Sequence, residues 1–149
     1  MMATFWDRST REEMCRRINR LTPDSKPRWG KFTAAQMVAH LNDAMRMASG
    51  ELAVQPKTLP IRYFPLKHLI LYVFPFPKGA PTAPELLARC AAADLKAEQV
   101  QFADIAARTA AKSASDRWPD HPAFGPLSHT AWGKLINKHT EHHLKQFGV

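Results

Sequence analysis

From Ser128 to Phe147 the chain places apolar residues at helical spacing, and that stripe also carries histidines. At about 100° per residue, Trp132, Leu135, Ile136, His143 and Gln146 all fall within roughly 60° of His139 on a helix. His139 and His143 are four residues apart and so stack on one face. A helix with such a face has to bury it against other elements. The imidazoles buried with it need partners, and a metal ion is an economical one.

The rest of the chain reads as helix too. Ser9/Glu12 and Thr10/Glu13 have capping-box spacing and open a first helix running to about Leu21, stopped by the turn residues 22–27. Thr33 and Gln36 repeat the box, and that second helix runs to about Ser49, with Gly50 as its stop. Its inward face reads Met37, His40, Leu41, Ala44 and Met47, which sets His40 among core positions. Pro56, Pro60 and Pro65 punctuate the next stretch, and Leu66–Phe74 is apolar enough for a short buried helix or an interface with a partner chain. Thr82, Pro84 and Glu85 supply a cap, a first-turn proline and a capping acid for a long alanine-rich helix to about Lys112. Ser128 or Thr130 starts the last helix. No β alternation, repeat or low-complexity tract interrupts this pattern. The expected fold is all-α: four main helices plus one short additional helix, in a single domain spanning residues 1–149.

Composition narrows the function. No apolar run approaches the ~18–20 residues of a membrane span, and the N-terminus has no signal-peptide core. A cytoplasmic protein with no membrane partner is expected. Cys15 and Cys90 match no paired spacing, which argues against a disulfide or a thiolate metal site. The net charge of +8 invites a nucleic-acid reading. Its lysines and arginines are dispersed, however, and fit solubility or the attraction of small anions better.

His40, His139 and His143 form the candidate metal site. Helical bundles build such sites from facing side chains, and three neutral imidazoles leave coordination positions open, as catalytic sites do. Zinc suits three nitrogens, whereas nickel, iron or manganese would want additional water ligands. His142 lies at the edge of the same face and competes for one place. Asp43 or Gln36 is placed to orient His40, and His142 to shuttle protons. Glu141 points roughly 160° away from the His139–His143 direction, which excludes the zinc-protease arrangement. The loop HPAFGPL, with His121 and Trp132 near it, reads mainly as packing for the start of the last helix.

Two segments carry a family resemblance: RINRLTPDSKPRWGKFTAAQMVAHLNDAMRMASGE and HPAFGPLSHTAWGKLINKHTEHHLKQFGV. They resemble the DinB-like (DinB/YfiT-type) superfamily of four-helix-bundle metalloenzymes, in particular a small bacterial branch of unknown function. The resemblance implies a DinB-like four-helix bundle with a divalent metal ion, zinc or nickel, held by His40, His139 and His143. It also implies a small-molecule substrate with a low-molecular-weight thiol, in transferase or isomerase chemistry, with hydrolysis as the variant in which water attacks. The rival expectation is a non-catalytic helical bundle with structural histidines that forms a homodimer through Leu66–Phe74. DNA binding through the basic surface is the weaker third reading.

Overall fold

Thr33 opens the best-defined helix of the chain. Its hydroxyl accepts the Gln36 backbone N–H at 3.2 Å while the Gln36 carboxamide accepts Thr33 N–H at 3.0 Å, a reciprocal capping box. Gly50 closes the same helix in the left-handed conformation at φ +88°, where a side chain would be strained. The computed structural model describes residues 3–149. Its helices are α1 Arg8–Asn19, α2 Ala34–Ser49, α3 Leu66–His68, α4 Leu95–Ala111 and α5 His129–Gln146. α3 runs on into a π-helical turn at Leu69–Val73, and 3-10 turns form at Pro60–Arg62, Pro84–Leu86 and Cys90–Ala92. The described residues contain no strand, only a lone bridge between His121 and Gly125. The fold is all-α.

α2 is the central element. It packs most extensively on α4, and also on α5 and the 3-10 turns before α4, while α1 packs on α4 and α5. Met14 and Ile18 of α1, Met37, Leu41 and Met45 of α2, Phe102 and Ile105 of α4, and Trp132 and Leu144 of α5 are all buried in one core. Each such side chain stabilises the fold by about 1.5–3 kcal/mol through removal of apolar surface from water. None of the helices is long and apolar enough to cross a membrane. Both cysteines are free and half-buried.

Two expected boundaries move. α1 starts at Arg8 rather than at the Ser9 or Thr10 boxes, because the residues before it are anchored elsewhere. Phe5 is fully buried, its N–H bonds Gly133 O at 3.2 Å, and Trp6 stacks on His129 at 4.1 Å between ring centroids. The larger correction concerns the long helix expected from Pro84. The chain makes two 3-10 turns there, Ala93 is extended, and α4 begins only at Leu95, where the Asp94 carboxylate caps Ala97 N–H at 2.9 Å. Side chains of the turn segment are engaged with α2 and α4: Arg89 with Asp43 and Glu98, and Cys90 Sγ with Gln36 O. Tertiary bonds of this kind override the helix propensity of Ala88, Ala91, Ala92 and Ala93. The short helix at Leu66 is present, but Leu66, Val73 and Phe74 are exposed rather than buried.

Candidate metal centre

The i, i+4 spacing on α5 and the mid-face position on α2 bring His139, His143 and His40 together. One nitrogen from each lies within 4.8 Å of the others. All three pairs of ring centroids stand 4.9 Å apart, with planes crossed at 83°, 77° and 81°. The three imidazoles meet edge to face between α2 and α5.

Two of the three rings have a partner on their outer nitrogen. His40 Nδ1 lies 3.3 Å from Leu86 O and His143 Nδ1 lies 2.7 Å from Gln146 Oε1. A carbonyl oxygen accepts only, so both Nδ1 atoms carry the proton, and both Nε2 atoms are left with a lone pair. His40 Nε2 sits 3.0 Å from His139 Nε2. Gln146 is itself held, since its Nε2 donates to Trp29 O at 2.8 Å. Gly30 makes that approach feasible: its φ is +78°, and a Cβ there would lie 2.8 Å from Gln146 Nε2.

Leu86 O is available because residues 84–92 are not α-helical. In a continuous helix it would accept from Cys90 N–H; here that N–H bonds Leu87 O at 3.1 Å. The turn segment is held over α2 by Arg89, whose Nε bonds Asp43 at 3.1 Å and whose Nη1 bonds Glu98 at 2.6 Å. Asp43 also accepts from Arg46 at 2.6 Å, and Glu98 from Asn42 at 2.7 Å. Burial alone would raise the Glu98 carboxyl pKa, but Arg89 and Asn42 bring it below its ordinary value. The sequence reading therefore needs correction on the partner of His40. Asp43 is taken by two arginines, Gln36 is taken by the helix cap, and a backbone carbonyl orients the ring.

Burial favours the neutral form of all three imidazoles. It lowers the His40 pKa against opposing pulls from Leu86 O and Asp43. It lowers His139 well below the ordinary range, with His143 and His40 adding to the effect. It pushes His143 down to about 3, with His40 in the same direction and Gln146 against it. His40 and His143 are buried, and His139, though its ring is strongly desolvated, is a half-buried residue. Phe32 closes the cluster near His40 and His143 at 5.3 and 5.9 Å. Phe76 lies 6.1 Å from both His139 and His142, and Trp29 lies 5.4 Å from His142.

His142 stays outside the cluster, half-exposed at its edge, 5.1 Å from His143 between ring centroids. His121 does not join it either. Its Nδ1 accepts N–H from Ala123 at 3.0 Å and Phe124 at 3.1 Å, closing the loop before α5, and Phe124 is buried in the core. Trp132 is a core residue. Gln146 and Leu86 are the positioning groups that sequence reasoning did not single out. Gln146 lay on the inward stripe as a visible signal; Leu86 O, a backbone atom, left none.

The chain is thus an all-helical protein with three histidines close enough to hold a metal ion. It belongs to the DUF1569 family of proteins of unknown function, whose model matches residues 7–148. No curated protein and no solved structure matches the chain.

Proposed function

We propose that this protein is a metal-dependent enzyme acting on a small molecule, with one divalent cation held by His40, His139 and His143. The observation that carries the reading is the donor set itself: three neighbouring imidazoles that burial keeps neutral, two of them with their outer nitrogens already bonded. Two nitrogens bound to one zinc ion at about 2.0–2.1 Å lie roughly 2.8–3.4 Å apart for angles between right and tetrahedral. The 3.0 Å between His40 Nε2 and His139 Nε2 falls in that range. An all-imidazole set suits zinc or nickel. The chemistry such an ion supplies is Lewis acidity, which makes a nucleophile of water or a thiol near neutral pH.

The chain's own residues then have definite roles. Leu86 O and Gln146 fix two ring orientations, and Phe32 keeps water from one side. His142 stands half-buried beside the cluster and is the residue proposed to carry protons. The histidine placement and the helix order agree with a DinB-like four-helix bundle in one domain over residues 1–149, with S-transfer, isomerisation or hydrolysis as the reaction classes and a low-molecular-weight thiol as co-substrate.

The test is metal content by elemental analysis of protein purified without a polyhistidine tag, for the wild type and for His139→Ala. Stoichiometric metal in the first and none in the second is expected. A wild type that is empty and takes up neither zinc nor nickel would sink the reading.

One observation favours a second reading. The 3.0 Å contact is also a good hydrogen bond from His139 Nε2–H to His40 Nε2, which pairs the two facing nitrogens without a metal. The protein would then be a non-catalytic helical module, with the exposed Phe64, Leu66, Val73 and Phe74 as its homodimer surface.

A further inference from the structure

The charges around the histidine cluster are one-sided. Its three donors are neutral, so they leave the charge of a divalent ion uncompensated. Asp43 is the carboxylate whose charge bears on His40. That charge is already matched by Arg46 at 2.6 Å and Arg89 at 3.1 Å. Glu141, on the same helix, is turned to Arg17 at 2.6 Å.

The side of the cluster toward His142 adds positive charge instead. Lys78 and Lys145 both bear on His142. Lys138 lies 5.2 Å from the centre of the Phe76 ring. From Leu52 to Pro84, the stretch that includes Phe76 and Lys78, the chain has no acidic residue at all. The walls beside this charge are aromatic: Phe76 next to His139 and His142, and Trp29 next to His142 with the Lys78 ammonium 4.5 Å over its ring.

From this juxtaposition we infer that the centre takes a small organic anion with an apolar body. Its anionic group is directed to the metal and its body lies against Phe76 and Trp29. The inference rests on the metal-site reading and specifies its substrate class. A neutral molecule of the same shape would forgo the uncompensated charge, and a small hydrophilic anion would forgo the aromatic walls.

The protein loaded with cobalt(II) reports on both readings, because cobalt bound by imidazoles absorbs in the visible without any substrate. Benzoate, acetate and benzamide serve as probes: an anion with an apolar body, an anion without one, and a neutral isostere. Benzoate is expected to perturb the spectrum saturably and at least about tenfold more tightly than acetate, since burying an aromatic face is worth a kilocalorie or more. Benzamide is expected to leave the spectrum unchanged. Phe76→Ala should bring benzoate and acetate together while cobalt still binds, and Lys78→Glu should weaken both anions.

No cobalt spectrum would overturn the metal site and this inference with it. A cobalt spectrum that ignores benzoate, or responds equally to benzamide, would overturn the inference and leave the metal site standing. A preference for benzoate that survives Phe76→Ala would remove the aromatic wall from the argument and overturn it as stated.

Discussion

Gln146 shows how much one side chain can settle. Its carboxamide has a single orientation compatible with its neighbours: Nε2 donates to Trp29 O, which leaves Oε1 for His143 Nδ1–H. That bond fixes the tautomer that leaves His143 Nε2 free. Gln146→Leu keeps the bulk and removes both bonds, leaving a buried imidazole N–H without a partner. Metal affinity, read by competition with a chromogenic chelator, should fall about 10–100-fold, the usual cost of losing a partner behind a histidine ligand. Unchanged affinity would mean that His143 is held by packing alone. The histidines were legible in the sequence because i, i+4 spacing and a mid-face position are local facts. Their partners were not, since Leu86 O and Trp29 O are backbone atoms of loops whose placement depends on the whole fold. Asp43, one turn from His40, looked like its partner from spacing, and two arginines from other positions claimed it.

At the scale of elements, what could be read was what is capped locally. α2 is capped at Thr33 as the Thr33/Gln36 spacing suggests, and of the two expected starts of α5 it is Ser128 that caps the helix. The segment 84–94 was misread because its alanines favour helix, whereas bonds to distant side chains decide its shape. Arg89 is the centre of those bonds, and its loss would leave Glu98 with Asn42 alone and Asp43 with Arg46 alone. Since the Arg89 side chain is 40% exposed, Arg89→Ala should cost about 1–3 kcal/mol rather than the full penalty for breaking a buried pair. It should also loosen Leu86 O from His40, so metal affinity should drop together with the urea midpoint. A stability loss without an affinity loss would separate the clamp from the site. A second element contact carries an opposite-sign test. Glycine inside a helix usually costs about 1 kcal/mol relative to alanine, so Gly133→Ala in α5 would stabilise an isolated helix. Here a Cβ would press into the Trp6 indole and lie 2.6 Å from Thr4 Oγ1. Overpacking of about 1–3 kcal/mol then outweighs the propensity gain, and thermal unfolding should occur at lower temperature than in the wild type.

For the molecule as a whole, the buried histidines make stability a function of pH, and the sign follows from their direction. Burial lowers the pKa of His40, His139 and His143 in the native state, the last to about 3, and burial followed by the Lys67 charge lowers His121 to about 4. In the unfolded chain each titrates near its ordinary value of about 6.5. Below that value the unfolded state therefore binds more protons than the native one, and stability rises with pH. The contribution is fully present above about pH 6.5 and is lost as the solution is acidified toward each native pKa, at about 1.4 kcal/mol per pH unit for each group. Metal-free protein should therefore show a urea midpoint that is flat above neutrality and falls steeply between pH 6.5 and 4. Glu98, held below its ordinary value by Arg89 and Asn42, works in the same direction, but its share is lost only as pH falls below the ordinary carboxylate range of about 4, so the upper part of the fall belongs to histidine. His121→Asn isolates one contribution outside the cluster. An asparagine oxygen can accept the Ala123 and Phe124 N–H groups that His121 Nδ1 now accepts, so the loop can close without an ionisable ring. The variant should lose one group's share of the slope between pH 6.5 and 4 and keep the rest. A wild-type midpoint that stays level through that window would mean that the native state accepts these protons freely, and neutral donors facing a metal would lose their physical basis.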